Sequence, residues 1–336
     1  THHCIADGAS LSIMLSTMTD PTPELKKLQA MTYLKKPVNH NRGISGALER
    51  FWGTLLLALY YLWGFITVNL KYAISFASPE LKTQLKNPLV GERSHAWTKT
   101  TTVADVKLVG KAFEGTVNDV MTTAISGALR RYLLDGDQWT ADQLRPLHLA
   151  SPVNVRTPDD YDADYILRNM FGFVITTSPI DEADPIERLK IIRKNMLAIK
   201  RSPEQTLAYR SALLLARASA SFQQRVMRFT NQYISYVCTN VAGPNIPMLM
   251  TGVPVVYGLG VVPPPPTVGL GFAIWSYYGM LRTAATVDIG TGVDGWKLCK
   301  YLDEELDFMI SLAKDKLAAD ALAGPKATNA GEKKTQ

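Results

Sequence analysis

The sequence predicts a mixed α/β protein whose strands and helices form two halves. Amphipathic segments with apolar residues three and four positions apart indicate helices, and short apolar runs bounded by turn-forming residues indicate strands. With 336 residues, 46% of them hydrophobic, the chain can bury the cores of about two domains. We expect the halves to occupy residues 1–140 and 141–322, followed by a disordered tail of small and polar residues at 323–336.

In the first half, the spacing of apolar residues predicts two helices. One is short and starts just after Asp7. The other begins at Asn118-Asp119 and runs to about Leu134, with two arginines near its last turn. Residues 97–103 are rich in β-forming residues and predict a strand before the second helix.

The second half alternates strands and helices. Short apolar runs predict strands at residues 147–153, 171–177 and 283–288. Asp184 followed by Pro185 is a typical cap and first turn of a helix, and further helices are expected at about 205–228 and 296–317. Residues 229–281 contain no charged side chain and are interrupted by many prolines and glycines, which predicts buried strands joined by tight turns.

The segment Phe51–Leu70 has twenty residues without a charge. As a helix it would be ~30 Å long, which is about the thickness of a bilayer core. Three interpretations stay open: a helix or hairpin that dips into one leaflet, a helix buried in the protein or covered by a partner, and a span paired with another upstream. Tyr60, Tyr61 and Trp63 lie in the middle of the segment, whereas spanning helices usually carry such residues at their ends. We therefore expect membrane association without spanning.

Charge and cysteine content limit the partners. The 36 Lys and Arg residues exceed the 30 Asp and Glu residues, giving a formal net charge of +6. A modest basic excess suits an anionic membrane surface or a phosphate-bearing ligand, and the absence of any nucleic-acid-binding motif argues against nucleic acid. The cysteines, Cys4, Cys238 and Cys299, are odd in number and far apart, so we expect no disulfide framework and a reducing compartment.

The first chemical candidate is the stretch from His2 to Gly8, which reads His-His-Cys-Ile-Ala-Asp-Gly. An imidazole is the natural general base for a hydroxyl at neutral pH. Asp7 could orient the ring or cap the following helix, and Gly8 allows the backbone to approach a substrate closely. An ordinary turn between a strand and a helix would carry the same residues. The three other histidines lack companion ligands at metal-binding spacing, so no metal site is expected.

This stretch resembles the HHxxxDG motif shared by CoA-dependent acyltransferases and peptide-synthetase condensation domains. Further segments resemble the wax ester synthase/diacylglycerol acyltransferase family: Thr116–Leu133 its ND-motif helix, Pro152–Arg156 its PVxxR strand end, Asn169–Gly172 its GNxxG segment, Thr239–Pro244 its SNVxGP turn, and Ser276–Gly279 its SYxG strand. The apolar insert 51–70 is similar to that of plant-type members. Arg168 replaces a usual glycine, and Thr239 and Ala242 replace a usual serine and proline.

The resemblance implies an architecture and a reaction. The fold would be the chloramphenicol-acetyltransferase-like sandwich of two α/β domains, with the site in a tunnel between them. Residues 1–140 would be the C-terminal part of the acyltransferase domain, and residues 141–322 the family's C-terminal domain. Since the family's N-terminal portion with its PLW-type motif does not precede His2, the first domain is expected to be incomplete. The implied reaction is O-acyl transfer from a long-chain acyl-CoA to a fatty alcohol or diacylglycerol.

The resemblance also implies roles for residues of the first motif. His3 is expected to act as general base on the acceptor hydroxyl, and His2 to shape the pocket. Asp7 resembles the family's structural aspartate, which pairs with an arginine. Arg156 is our candidate for that arginine and also a candidate substrate-binding residue.

Two further groups are ambiguous. Asn118 could donate a hydrogen bond to the developing oxyanion, or Asn118 and Asp119 could be the cap and first-turn acid of a helix. Asn240 and Ser276 could line the substrate channel or be ordinary turn and strand residues. The uncharged stretch 229–281 could enclose a long acyl chain, although core packing explains such a composition equally well.

The implied partners are acyl-CoA, a lipid acceptor, and a membrane or lipid-droplet surface. In a eukaryotic cell the protein would lie on the cytosolic face of the endoplasmic reticulum or plasma membrane. No metal or redox cofactor is implied, because acyl-CoA is a substrate, and the oligomeric state is left open. Two rival hypotheses remain: an amide-forming, condensation-domain-like acyltransferase, and a catalytically silent lipid-surface protein of the same fold.

Overall fold

The computed structural model describes residues 6–23, 44–77, 81–136, 139–157, 160 and 167–322. The tail predicted to be disordered, 323–336, lies outside these residues. Within them the strands are β1 Arg93–Trp97, β2 Thr101–Thr102, β3 Leu147–Asn154, β4 Phe171–Ser178, β5 Tyr236–Ala242, β6 Leu249–Met250, β7 Val253–Pro254, β8 Leu270–Tyr277 and β9 Met280–Asp288. The helices are α1 Gly8–Thr17, α2 Ile44–Ala77, α3 Val103–Phe113, α4 Val117–Leu134, α5 Pro185–Arg201, α6 Glu204–Leu215, α7 Ala220–Asn231 and α8 Gly295–Leu322.

One seven-stranded mixed sheet organises the described chain. Its strand order is β1-β9-β8-β5-β3-β4, and β2 also pairs with β9. The central strands β3, β5 and β8 are parallel to one another, whereas β1, β2, β4 and β9 each run antiparallel to their neighbours. The remaining strands, β6 and β7, form a small separate hairpin. The three central strands therefore end at the same edge of the sheet.

The main core lies between one face of this sheet and the helices α3, α4, α5 and α8. Alternate residues of β8, Leu270, Phe272 and Ile274, belong to this core, as do Tyr236 and Cys238 of β5. Side chains that alternate along a strand point to opposite faces, so every second residue of the two strands packs against the helices. The helix predicted from Asn118 to about Leu134 is α4, and most of its inward-facing residues are buried in this core. The sequence interpretation of that segment is thus confirmed.

The opposite face of the sheet is covered by the long connection between β5 and β8 and by the end of α2. A smaller cluster of buried residues lies there, and Tyr72 of α2 packs against it; its members are Ala150, Ile175, Ile234, Val237 and Val268. Gly271 of β8 would place a Cβ 2.8 Å from Val262, so the connection lies directly on the strand. Buried strands and tight turns in the uncharged stretch are thus confirmed, except that residues 229–231 end α7.

Two predicted elements differ from those observed. The single helix expected at 205–228 is two helices, α6 and α7, because the Ser219 side chain accepts the Phe222 amide hydrogen and starts a new helix. The strand expected at 97–103 is also divided. β1 ends at Trp97, β2 is two residues long, and the Thr102 side chain caps α3.

The expected division at residue 140 runs through this packed unit. Residues 93–97 pair with β9, and α4 packs in the same core as α5 and α8. In the described residues, segments from both sides of residue 140 therefore share one sheet and one core.

Helix α2 contains the apolar segment and is one continuous helix of 34 residues. In the described part of the chain, only Trp52–Ser75 is long and apolar enough for a membrane span by length and composition, and 11% of the tested window is buried. The hairpin interpretation is therefore wrong, and the described residues leave most of this helix exposed. A shallow membrane helix, a span and a partner-covered helix remain compatible with this exposed surface.

The C-terminal end of α2 is fixed to the start of α6 and to the sheet by polar contacts. Lys71 forms a salt bridge with Glu204 at 3.0 Å, and the Tyr72 hydroxyl donates to the same carboxylate at 2.6 Å. Ser75 lies within hydrogen-bond distance of His148 Nε2, at 2.7 Å. The apolar N-terminal part of α2 carries exposed side chains, while the C-terminal part is held in place.

Candidate active site

The described site residues that the sequence predicted converge on one edge of the sheet. This is the edge where the parallel strands β3, β5 and β8 end, the usual place for ligand sites in open α/β sheets. Arg156 follows the end of β3, Asn240 lies near the end of β5, and Ser276 lies near the end of β8, opposite Ala242. Segments that are far apart in sequence thus meet at one place.

Asp7 joins three of these segments. Its Oδ1 accepts the amide hydrogen of Ser10 at 3.0 Å and caps α1, and its Oδ2 accepts from Arg156 Nη1 at 2.6 Å and from the amide of Met170 at 2.8 Å. Burial raises the pKa of this carboxyl, but hydrogen bonds from Arg156, Met170 and Ser10 outweigh it and hold the pKa below its usual range. The predicted pair of Asp7 with Arg156 is confirmed.

The Arg156 side chain is buried and hydrogen-bonded to protein groups. It is 1% exposed, and Nη2 donates to Ser10 Oγ at 2.7 Å and to the carbonyl of Arg168 at 2.5 Å. This placement favours the structural role over the substrate-binding role that was also expected. The Arg168 side chain turns instead to Asp160, and Arg168 is not among the described residues with positive φ. The usual glycine at this position is therefore not needed for the observed backbone.

Gly8 brings α1 close to the central strand β5. A Cβ built on Gly8 would lie 2.8 Å from Cγ2 of Val241, closer than side-chain carbons approach one another. The absence of a side chain at Gly8 thus allows α1 to pack against β5. A role in substrate approach, as predicted, is neither required nor tested by this contact.

Asn118 and Asn240 face each other across the site. Asn240 Nδ2 donates to Asn118 Oδ1 at 3.4 Å, a long hydrogen bond that joins the start of α4 to β5. The prediction that Asn118 caps the helix is wrong, because Thr116 is the N-cap. Neither amide is committed to capping, so both can reorient toward a bound polar group.

Asp119 completes a capping box with Thr116. Its Oδ2 accepts the Thr116 amide hydrogen at 2.8 Å, while Thr116 Oγ1 accepts the amide hydrogen of Asp119 at 3.3 Å. The other carboxylate oxygen, Oδ1, is buried and has no hydrogen-bond partner among the described residues. Asp119 is the first-turn acid that the sequence suggested, and the Thr-x-x-Asp spacing was the signal for this cap.

Two predicted residues lie outside the described part of the chain, and several contributors to the site were not predicted. His2 and His3 lie outside the described residues, immediately before the Asp7 turn. Ser276 is described and half-buried. The sequence interpretation missed Ser10 and the main chain of residues 168–170; a serine three positions after a capping aspartate was the available signal. Within the described chain, no group of three or more His, Cys, Asp and Glu side chains forms a metal-binding cluster.

A cavity of about 230 Å³ lies beside the end of β8. Its lining is mostly apolar and comes largely from the uncharged stretch, with Val256, Tyr257, Trp275, Tyr277, Met280 and Leu281 as its main members. Arg282 stands at the cavity, 4.1 Å from the Tyr257 ring centre. Trp275 and Tyr277 alternate with Ser276 along the strand, so the cavity and Ser276 lie on opposite faces of the sheet.

Comparison with protein families identifies two matching segments. Residues 1–121 match the wax ester synthase/diacylglycerol acyltransferase catalytic domain, and residues 167–310 match the WS/DGAT C-terminal domain. A relative from Mycobacterium tuberculosis, whose name places it among the diacylglycerol O-acyltransferases, is 26% identical over 311 residues. The wax ester synthase/diacylglycerol acyltransferase 9 of Arabidopsis thaliana is 25% identical over 356 residues.

The chain spans only part of these relatives. The matches cover 87% of this chain and 63% of the mycobacterial protein, and 92% of this chain and 68% of the Arabidopsis protein. Among solved structures, the wax ester synthase/diacylglycerol acyltransferase of Marinobacter aquaeolei VT8 matches 94% of this chain and 67% of that one, with 21% identity and a TM-score of 0.60.

The epimerization domain of tyrocidine synthetase B matches the fold more distantly. It covers 94% of this chain and 68% of its own, with a TM-score of 0.50 and 13% identity. These likenesses confirm the predicted two-domain acyltransferase fold class. The order of the motifs and both family matches lead to one conclusion: the chain belongs to the wax ester synthase/diacylglycerol acyltransferase family.

Proposed function

We propose that this protein is an O-acyltransferase that joins a long-chain acyl group from acyl-CoA to a fatty alcohol or to diacylglycerol. Membership of the family supports the reaction class. The observation that carries the proposal is the buried Asp7–Arg156 pair, which fixes the turn that follows His3 by four residues in the sequence, at the sheet edge where Asn118 and Asn240 meet. A general base attached to that turn would act beside two amide side chains.

In the proposed reaction, His3 removes the proton of the acceptor hydroxyl. The hydroxyl oxygen attacks the thioester carbonyl, a carbon–oxygen bond forms, and the carbon–sulfur bond then breaks. The proton held by His3 passes to the departing CoA sulfur, so the free thiol and the ester are the products. No redox or metal chemistry takes part in these steps.

The amides at the start of α4 and on β5 are suited to the oxyanion. When the thioester carbonyl is attacked, negative charge develops on its oxygen, and a positioned amide N–H stabilises that charge most strongly in a site shielded from water. Asn118 and Asn240 both carry amide N–H groups, and their mutual bond is long enough to be exchanged for a stronger one. Ser276, near the end of β8, would line the substrate channel.

The exposed apolar helix α2 supports a site close to lipid. Both proposed acceptors are water-insoluble, so an enzyme that uses them gains access by lying on a membrane or a lipid-droplet surface. We place α2 in the interfacial region of such a surface, on its cytosolic side, with the polar end at Lys71 and Ser75 outside it.

The test is a competition assay with the full-length protein. Labelled palmitoyl-CoA is supplied with hexadecanol and diacylglycerol together, and wax ester and triacylglycerol are separated. We expect His3→Ala to lower both rates by about 10²–10⁴-fold, the usual contribution of a general base. His2→Ala is the matched control and should retain most of the activity. An unchanged rate in His3→Ala would refute the mechanism, and acylation of an added amine alone would support the amide-forming alternative.

A further inference from the structure

The helices α6 and α7 form a second exposed apolar surface that the proposed reaction does not use. We call residues 204–231 the α6–α7 arm. Its exposed apolar side chains are Leu213, Leu214, Phe222, Met227 and Phe229. Leu214 is 69% exposed and Phe229 is 56% exposed, and the only buried residue of α7 is Asn231 at its end. Isolated exposed apolar residues are common, but five of them lie along these two consecutive short helices.

Helix α7 separates its apolar and basic residues. Phe222, Val226 and Phe229 are spaced i, i+4, i+7 and therefore share one face of the helix. Arg225 and Arg228 follow that face on one side. A helix with aromatic residues on one face and arginines beside it is typical of segments that lie in the plane of a membrane interface.

After Glu204, every charged residue of the arm is a positively charged arginine. Arg210, Arg217, Arg225 and Arg228 are all exposed. Between Glu204 and Asp288 the sequence has no Asp or Glu, so no carboxylate from this stretch can neutralise them. Glu204 itself is buried and bound to Lys71. The arm therefore presents a positive surface that is complementary to anionic lipid headgroups.

The arm is continuous with the apolar surface of α2. Gly64 of α2 lies against Pro203, so closely that an added Cβ would overlap the proline ring. The guanidinium of Arg210 lies 5.8 Å from the ring centre of Tyr61, and the Tyr60 hydroxyl donates to the carbonyl of Arg201 at 3.2 Å. Both apolar surfaces thus meet at the start of α6, as two elements resting on one lipid surface would.

We propose that the α6–α7 arm docks on an anionic membrane surface and gives the protein a preference for acidic phospholipids. The apolar face of α7 would enter the interface, and the arginines would contact phosphate and carboxylate groups. This inference extends the proposed membrane contact of α2, but it concerns binding alone and does not depend on the acyl-transfer reaction. A protein partner for the arm would have to present both apolar and acidic groups. The test below distinguishes such a partner from a membrane.

The test measures partition of the whole chain onto vesicles of phosphatidylcholine, with and without phosphatidylserine. We compare wild type with Arg217→Gln/Arg225→Gln/Arg228→Gln. The matched control removes three charges from α8 instead, as Lys300→Gln/Lys314→Gln/Lys316→Gln, where all three lysines are exposed. Each arginine near an anionic surface contributes about fivefold to partition, so the arm variant should lose about a hundredfold of the preference for phosphatidylserine.

Each outcome decides the proposal. Loss of the preference in the arm variant but not in the α8 control supports it. Equal loss in both variants would overturn it, because net charge and not the arm would then set binding. An unchanged preference in a folded arm variant would also overturn it and leave the arm for a protein partner. Phe222→Ser/Phe229→Ser, at exposed positions, should weaken binding to both kinds of vesicle; no change there contradicts insertion of the α7 face.

Discussion

At the residue scale, the site depends on a single carboxylate that holds three chain segments. Asp7 caps α1, pairs with Arg156 and binds the main chain at Met170. A buried ion pair is weak evidence for stability in itself, because both charges lose their hydration. Its value here is geometric, since it joins the start of α1 to Arg156 and to the main chain at Met170.

Replacement of Asp7 by Asn should destabilise the protein strongly. Asn can still cap α1, but it leaves the Arg156 charge buried without a counter-charge, which typically costs about 3–5 kcal/mol. The measurement is urea unfolding of the two proteins at neutral pH. The surface pair Arg168–Asp160 is the control, since Asp160→Asn should cost about 1 kcal/mol or less. Equal effects of the two substitutions would contradict the structural importance of Asp7.

The same carboxyl predicts a pH dependence. Its folded-state pKa lies below the ordinary value of 3.8, so its contribution to stability is fully present above that value. The contribution is lost as the pH falls through the lower folded-state pKa. The difference in unfolding free energy between wild type and Asp7→Asn should therefore stay constant around neutral pH and shrink only in acid. A difference that shrinks near pH 6 or 7 would assign the effect to another group.

The effect of Gly8→Ala on the free energy of unfolding distinguishes packing from helix propensity, because the two predict opposite signs. Alanine is normally favoured over glycine within a helix, but at Gly8 its Cβ would press on Val241. We expect Gly8→Ala to cost about 1–3 kcal/mol and Val241→Ala in the same chain to recover much of it, as measured by unfolding. Gly53→Ala is the control, because no atom lies within 4 Å of its added Cβ, and it should not destabilise.

At this scale, the sequence could predict contacts between recognisable motif segments, but not contacts that depend on how distant elements pack. The Asp7–Arg156 pair was predictable from motif resemblance, since each partner belongs to a recognisable segment. The cap of α4 is Thr116 and not Asn118, because the Thr-x-x-Asp capping box places the start of the helix two residues earlier. The contact of Gly8 with Val241 had no local signal, because it depends on how α1 rests on β5.

At the element scale, a buried ion pair between α5 and α8 orders the helix layer. Arg188 pairs with Glu305, and both side chains are almost fully buried. Gly127 of α4 makes room for them, since a Cβ there would overlap both side chains. Three helices therefore meet at this pair.

Breaking this pair should be costly, but replacing it need not be. Glu305→Gln leaves Arg188 buried without a counter-charge and should destabilise by about 3–5 kcal/mol in urea unfolding. The double variant Arg188→Met/Glu305→Leu removes both charges and should be much closer to wild type. A double variant that is as unstable as Glu305→Gln would instead show that the pair is favourable in itself. The exposed pair Lys316–Asp320 is the control, and Lys316→Gln should change little.

Element boundaries show where local patterns suffice. The cap and first turn at Asp184-Pro185 were predicted correctly because the signals are adjacent in sequence. The break between α6 and α7 was missed because apolar residues continue through it without proline or glycine. Ser219 was the one local indication, and a serine alone is too common to mark a helix start.

At the scale of the whole molecule, alternating patterns predicted the fold class but not the sheet. Local periodicity cannot indicate that β1, near residue 95, pairs with β9, near residue 285. Nor can it indicate that segments on both sides of residue 140 share one core. Long-range pairing depends on the complete set of apolar faces, so the resemblance to a known family was more informative here than the patterns.

We propose that the exposed helix α2 holds the molecule on a membrane, and this can be tested without disturbing the core. Leu56, Leu62 and Phe65 are more than half exposed, so Leu56→Ser/Leu62→Ser/Phe65→Ser should leave unfolding unchanged. The polar contacts of Lys71, Tyr72 and Ser75 remain in this variant. If these side chains enter lipid, their loss removes about 5 kcal/mol of transfer free energy, and the protein should move to the soluble fraction.

The wash conditions separate this contact from the electrostatic one. High salt screens charges at the surface, so a washing step removes the contribution of arginines while apolar burial persists. Wild type should therefore remain on membranes after high-salt washing, and the triple serine variant should be released. Retention of a folded variant through the wash would place the apolar anchor elsewhere in the protein. Release of wild type by salt alone would make charge, and not the apolar face of α2, the main source of membrane binding.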